Sequence, residues 1–218
     1  MANASLDAIL WDFGGVLTTS PFEAFRRYES ERGLPTDFIR GINATNPDSN
    51  AWAKFESSRI GIEDFDEAFR AEALAQGHDV RGRDVLALLS GDVRPRMVAA
   101  LEQCKTHFRC ACLTNNVKSG KGPGMATDSA RADAVAAVME KFDLVVESSI
   151  EGVRKPEPRA YEIVLERLGT SADRMLFLDD LGINLKPAAA MGMHTIKVVS
   201  EEQALADLAV ATGLTFEA

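Results

Sequence analysis

The sequence predicts an α/β fold: a Rossmann-like, doubly wound parallel sheet with an inserted α-helical cap. Three observations predict it. Short apolar runs recur along the chain, "AILWDF" (8–13), "RCACLTN" (109–115), "DLVVES" (143–148), "MLFLDD" (175–180) and "HTIKVV" (194–199). Most are continuous rather than alternating, as strands covered on both faces require. Helix-like segments separate them, which is the rhythm of βαβ units. Residues 18 to 94 break that rhythm, with helical patterning and no convincing strand. In such a fold ligands bind at the carboxyl ends of the strands.

The first run ends at Asp12, followed by two glycines. The insertion opens on "TSPFEAFRRYESERG", where Ser20 predicts an N-cap, Pro21 the first helical position, Glu23 a capping box and Gly33 the stop. "NAWAKFESSR" and "IEDFDEAFRAEALAQG" predict further helices. The expected division is therefore a core of residues 1–17 and 95–218 and a cap of residues 18–94 over its active end. Trp52, Phe55, Phe65 and Phe69 predict a small core for the cap, with one or two free to face the site. "RPRMVAALEQCKTHF" predicts the helix before the second strand. "VKSGKGPGMATDS" (117–129) predicts a loop whose glycine and lysine spacing fits no P-loop. In "PEPRAYEIVLERLG", Tyr161, Val164, Leu165 and Leu168 fall on one helical face, and Gly169 ends it.

Bulk properties exclude several classes of function. The 218 residues can bury a sizeable core, and 46% hydrophobic with 26% charged residues is the composition of a soluble globular chain. A net charge of −9 offers no basic excess to displace counterions, so neither nucleic acid nor an anionic membrane is an expected partner. No apolar stretch approaches a membrane span, and "MANASLDAILW" lacks a basic leader, so the expected location is cytoplasmic. Cys104, Cys110 and Cys112 then read as reduced, buried thiols. His78, His107 and His194 have no spacing suited to zinc or a catalytic dyad and read as structural or surface residues. Arg26, Arg27 and Lys118 read chiefly as solvated, with steering of an anionic substrate as their functional alternative. A monomer and a dimer both fit the sequence.

Four stretches carry chemistry, each at the carboxyl end of a predicted strand or just beyond one. Asp12 ends the first strand, and Thr114 with Asn115 the second. Lys155, in "GVRKPEP", follows the third, and Asp179 with Asp180 ends the fourth. Singly each has a bland explanation: a turn aspartate, a solvated lysine, a helix cap. Jointly, three converging carboxylates repel one another, and both a cation and a lysine are needed to offset them. A hard divalent ion with oxygen ligands, most simply Mg²⁺, meets that need.

In order and spacing, Asp12, Thr114, Lys155 and Asp179–Asp180 resemble the four motifs of the haloacid dehalogenase superfamily, and the resemblance covers essentially the whole chain. "DFGGVL", "ESSIEGVRKPEPRAYEIVLERLG" and "FLDDLGINLKPAAAMGMHTI" are similar to the subgroup formed by the N-terminal phosphatase domains of soluble epoxide hydrolases. The resemblance implies hydrolysis of a small phosphorylated substrate through an aspartyl phosphate, with Asp12 as the nucleophile. It implies Mg²⁺ held by Asp12, the Gly14 carbonyl and Asp180, with Asp179 close by. It assigns the phosphoryl oxygens to Thr114 and the amides around Asn115, and charge compensation to Lys155, aimed by Pro156 and Pro158. Asn184 would orient Asp180, with Lys186 beside it. The glycines at 14 and 15 would permit an approach that side chains obstruct.

Gly14 departs from the family pattern, which has an aspartate there that protonates the leaving alkoxide and then activates water. Losing a general acid–base costs about 10²–10⁴-fold. Three readings stay open: a leaving group that needs little protonation, a substitute acid such as Glu23, Asp128 or His78, or a scaffold that binds a phosphorylated ligand without turning it over. The metal-independent 2-haloacid dehalogenases also lack this acid and form the alternative enzyme class. Against them stands the aspartate pair, which would face an anionic substrate uncompensated.

Overall fold

The computed structural model describes residues 6–116 and 129–216. Lys118, Asp128 and nearly all of the 117–129 loop fall outside it, as does the side chain of Glu23 and with it the expected capping box. Five strands form one parallel sheet, in the order β3-β2-β1-β4-β5: β1 (Ala8–Trp11), β2 (Arg109–Thr114), β3 (Leu144–Glu147), β4 (Met175–Asp179) and β5 (His194–Lys197). Each lies within one of the five apolar runs. The helices in chain order are α1 (Pro21–Arg32), α2 (Phe38–Ala44), α3 (Ala51–Glu56), α4 (Ile62–Ala75), α5 (Gly82–Ala87), α6 (Pro95–Lys105), α7 (Ser129–Met139), α8 (Ser148–Glu151), α9 (Pro158–Leu168), α10 (Gly182–Ala190) and α11 (Glu201–Thr212).

Side-chain alternation along β1 shows why the runs are continuous. Ile9 and Trp11 point to one face and join Met97, Leu101, Val138 and Leu205 from α6, α7 and α11. Ala8 and Leu10 point to the other and join Tyr161, Val164, Leu168 and Leu185 from α9 and α10. Both faces are buried, so no position on the strand tolerates a polar residue until the chain emerges at Asp12. Each large side chain so buried contributes about 1.5–3 kcal/mol. Cys104, Cys110 and Cys112 are free and buried, and burial pushes the Cys110 thiol up to about 12.

Register places the chemistry. Trp11 pairs with Cys112 on one side and Leu178 on the other. Asp12, Thr114 and Asp179 therefore emerge together at one edge of the sheet. The strand order reverses beside β1, the crevice where open α/β sheets take ligands.

Helices α1 to α5 pack around a separate apolar cluster that includes Phe25, Ile39, Phe55, Phe65, Phe69 and Val85. Phe55 stacks on Phe65 at 4.5 Å between ring centroids, and Trp52 meets Phe65 edge-on at 5.7 Å. Ser20 caps α1 by accepting from Phe22 N at 3.4 Å, and Gly33 closes it in the left-handed region. The buried Glu29 carboxylate accepts from Asp37 N and Ile39 N, both at 2.9 Å, and so satisfies the start of α2. Asp66 is fully buried against Arg81 and Arg83, which hold its carboxyl down to about 2 against the effect of burial.

Two seams join these helices to the sheet. At one, the chain enters and leaves side by side: Thr18 and Val93 form an antiparallel bridge, and Arg94 N donates to Leu17 O at 2.8 Å. At the other, the end of α3 docks on α8: Ser148 Oγ donates to Glu56 O at 3.2 Å and Ser58 Oγ to Ser149 O at 3.0 Å. Among the described residues no helix is long and apolar enough to cross a membrane.

Candidate active site

Lys155 is the pivot of the strand-end cluster. Its side chain is 1% exposed, and its ammonium lies 2.8 Å from Asp12 Oδ1 and 2.7 Å from Asp179 Oδ2. Its backbone is clamped as well. Asn115 donates to Lys155 O at 2.9 Å and accepts from Lys155 N at 2.8 Å, a reciprocal pair that fixes the loop after β3 against the end of β2. Burial alone would lower the lysine pKa; Asp12 and Asp179 more than offset it and hold the ammonium well above the ordinary lysine range. For Asp12, burial pushes the carboxyl up and Lys155 pulls against it, while Asp179 and Asp180 add to the rise. The geometry is that of an ion pair, with two charge-assisted contacts under 3 Å. We take Lys155 as the ammonium and Asp12 as its carboxylate partner.

The two adjacent aspartates have different surroundings. Asp179 is fully buried, and both its oxygens are engaged: Oδ1 accepts from Leu181 N at 2.8 Å, Oδ2 from Lys155, and Asn184 Nδ2 reaches each at 3.1 Å. Asn184 thus orients Asp179, not Asp180 as the sequence suggested. The turn after β4 carries Asp180 outward to the cavity and leaves Asp179 hydrogen-bonded to the start of α10. Tyr161 holds Asn184 in turn, donating to its carbonyl at 2.7 Å. Asp180 has Ser20 Oγ 3.5 Å from its Oδ2, and its carboxyl is raised to about 6 by burial and then by the charge of Asp179.

Oxygens of Asp12, Asp179 and Asp180 all lie within 4.8 Å of one another, with Lys155 as their near cation. Three carboxyls against one ammonium leave a negative excess in a buried space, and their hard oxygens suit a hard divalent cation such as Mg²⁺. The residues present therefore fit that ion. Asp179, saturated by its donors, is less open to it than Asp12 and Asp180. Asp12 takes both Phe13 N, at 2.7 Å, and Lys155 on Oδ1, so among the described residues Oδ2 faces no donor.

The glycines after Asp12 separate in their reasons. Gly15 sits at φ 77°, and a Cβ there would lie 2.2 Å from Asp180 Oδ2, so only glycine lets the two segments meet. A Cβ on Gly14 would meet nothing within 4 Å. The expected obstruction at 14 is thus not found; the absent side chain leaves open space in the cavity.

That cavity, about 390 Å³, lies between the sheet edge and the inserted helices. Asp12, Gly14, Thr114, Asn115, Lys155 and Asp180 line its floor; Phe22, Phe25, Trp52 and Leu89 form much of its wall. Thr114 is buried and borders the cavity, whereas the Asn115 side chain is already spent on Lys155 and the Asn116 amide donates to Ser148 Oγ at 3.0 Å. Arg26 and Arg27 are exposed and do not border it; Arg40 and Arg154 do. His78 packs edge-on against Phe38 at 4.9 Å and lies off the cavity lining. Sequence reasoning missed Glu56 and Arg154, whose carboxyl and guanidinium meet at 2.7 Å on the border of the cavity. The one available signal was an arginine directly before Lys155.

Residues 6–192 match the haloacid dehalogenase-like hydrolase family. Bifunctional epoxide hydrolase 2 of Mus musculus is 30% identical over 228 residues, 97% of this chain. The chain spans only 40% of the length of that relative. Sesquiterpene phosphatase astK of Aspergillus oryzae is 26% identical over 189 residues, 85% of this chain and 86% of its own. Among solved structures, a haloacid dehalogenase family enzyme of Bacteroides thetaiotaomicron, bt-2542, in complex with magnesium and inorganic phosphate, superposes with a TM-score of 0.60 at 18% identity, covering 90% of this chain and 96% of that one. The chain belongs to the haloacid dehalogenase-like hydrolase family.

Proposed function

We propose that the chain is a Mg²⁺-dependent phosphatase, with Asp12 as nucleophile, acting on small phosphorylated molecules whose organic part is largely apolar. The observation that carries this reading is one cavity with Asp12, Lys155 and Asp180 on its floor, Asp179 buried behind them against Lys155, and an aromatic wall. Asp12 Oδ2 attacks phosphorus in line as the ester P–O bond breaks, while Lys155 neutralises charge on Asp12 and on the transferring group. Thr114 supplies a hydroxyl at the cavity floor for a phosphoryl oxygen. Asn115 acts through Lys155, by setting the height of its backbone, and Asp179 acts as counter-ion to the ammonium. Asp12, the Gly14 carbonyl and Asp180 would hold Mg²⁺, whose charge lets a dianionic phosphate approach three carboxyls. The inserted helices would serve as the cap, since they furnish the wall that the organic group meets.

A volume near 390 Å³ with aromatic sides suits a ligand of modest size and apolar body. The Aspergillus oryzae relative is by name a sesquiterpene phosphatase, and a terpene is such a body. A metal-independent 2-haloacid dehalogenase fits the floor less well: the substrate carboxylate would add a fourth negative group beside one lysine.

Phosphate release from a panel of monoesters, with Mg²⁺ and then with chelator, tests the assignment. Esters with an apolar chain should be preferred to sugar phosphates, and chelation should abolish turnover of both. Phe22 borders the cavity, with the Arg40 guanidinium 4.6 Å over its ring. Phe22→Ala should raise KM for apolar-chain esters by about tenfold, the worth of part of a buried aromatic side chain, with a smaller effect on acetyl phosphate. Retained phosphate binding with no turnover of any ester would instead make the chain a phospho-ligand-binding module. Metal-free hydrolysis of chloroacetate would restore the dehalogenase reading.

A further inference from the structure

The vacancy at residue 14 raises the question of where the proton for the leaving group comes from. Apart from Asp12 and Asp180, the described residues lining the cavity include two more carboxyls, Asp48 and Glu56, and no histidine. Its guanidinium groups, Arg40 and Arg154, stay charged and cannot exchange a proton, and Lys155 is held as the ammonium. Asp48 is exposed to solvent. Glu56 is not: its side chain is 8% exposed.

Glu56 is also held in place relative to the core. Its carbonyl accepts from Ser148 Oγ at 3.2 Å, its Oε2 lies 2.7 Å from Arg154 Nε, and Arg154 donates onward to Pro47 O at 3.1 Å. Arg154 directly precedes Lys155, so the loop that positions the ammonium also positions this carboxyl. Among the described residues, the groups whose charge or hydrogen bonding bears on Glu56 include Arg154 and Lys155 from that loop and Trp52 from its own helix. Burial raises its carboxyl, and Arg154, Trp52 and Lys155 only partly oppose the rise. A desolvated carboxyl bordering the cavity into which residue 14 opens has the setting of a general acid.

We propose that Glu56, reaching in from the inserted helices, is the general acid–base of this site in place of the side chain that Gly14 lacks. The proposal rests on the phosphatase reading above. In the first half-reaction Asp12 bonds to phosphorus, the ester P–O bond breaks, and the leaving oxygen takes the Glu56 proton and departs as an alcohol. In the second, the Glu56 carboxylate takes a proton from water as that water's oxygen bonds to phosphorus. The Asp12–phosphorus bond then breaks, releasing hydrogen phosphate and restoring Asp12 and protonated Glu56.

The test is Glu56→Gln in the full chain with saturating Mg²⁺, assayed on monoesters graded from p-nitrophenyl to alkyl leaving groups. Turnover of alkyl esters should fall by about 10²-fold or more, that of p-nitrophenyl phosphate by less than about tenfold, the difference being the worth of an acid to a poor leaving group. The basic limb of the alkyl-ester pH profile should vanish, and Gly14→Asp in the Glu56→Gln background should restore alkyl turnover. A merely structural Glu56 would depress every ester equally, and that result, or unchanged alkyl turnover, overturns the proposal. Should Glu56→Gln melt early, the unmutated chain still decides. With an acid in place, kcat/KM falls by less than about tenfold across the series, and a fall of about 10³-fold overturns it. If wild-type protein leaves even p-nitrophenyl phosphate intact, the phosphatase reading fails, not the assignment of Glu56 alone.

Discussion

Asp12→Asn should abolish Mg²⁺-dependent phosphate release, with kcat falling by at least about 10³-fold, since a neutral amide oxygen cannot form the phosphoenzyme. The fold should survive. Asparagine keeps the size of the side chain and can still accept from Phe13 N, now 2.7 Å from Asp12 Oδ1. The substitution removes the burial cost of a charged carboxyl and its repulsion with Asp179 and Asp180, while Lys155 loses one partner but keeps Asp179 at 2.7 Å as its buried counter-ion. The variant should therefore melt at or slightly above the wild-type temperature in metal-free buffer. Separating activity from stability in this way identifies a residue whose burial serves chemistry. Residual turnover within about tenfold of wild type would mean that water attacks phosphorus directly, without Asp12.

Lys155→Met should damage both. The ammonium touches Asp12 and Asp179 at 2.8 and 2.7 Å, and its side chain is 1% exposed, so its loss strands two carboxyls with no buried counter-charge. Breaking a buried ion pair by removing one partner costs about 3–5 kcal/mol. Methionine fills most of the volume, so the loss should be electrostatic rather than a cavity effect. Chemical denaturation should show a lower midpoint with an unchanged m-value, and turnover should fall below detection even where the protein stays folded. Mg²⁺ should restore part of the stability, because a cation among Asp12, Asp179 and Asp180 supplies some of the missing positive charge. A Lys155→Met protein as stable as wild type would show that the carboxyls do not depend on this lysine.

Much of this was legible in the sequence because a parallel sheet converts strand ends into neighbours. Once Asp12, Thr114 and Asp179 were each placed at the carboxyl end of an apolar run, register alone brought them to one edge. The side-chain partners of adjacent groups were not legible. Whether Asn184 serves Asp179 or Asp180 depends on the turn after β4, where the Leu181 amide accommodates Asp179 and sends Asp180 outward. The same limit hid the task of the Asn115 side chain, whose amide donates to Lys155 O and accepts from Lys155 N. The glycine pair looked uniform, yet only Gly15 is demanded by contact, with Asp180. Glu56 was harder still. Its place over the cavity follows from the packing of α3 on the Phe65 cluster and from the seam with α8, both long-range, and no local pattern marks it.

Acid quenching of the Mg²⁺-loaded protein during turnover of a phosphate ester, followed by peptide mass mapping, tests Asp12 as the nucleophile most directly. A phosphoryl mass increment is expected on the peptide carrying Asp12, formed only with Mg²⁺ present and removed by hydroxylamine. Sustained turnover with no phosphoryl group ever found on Asp12, or the increment found on another residue, would contradict that role.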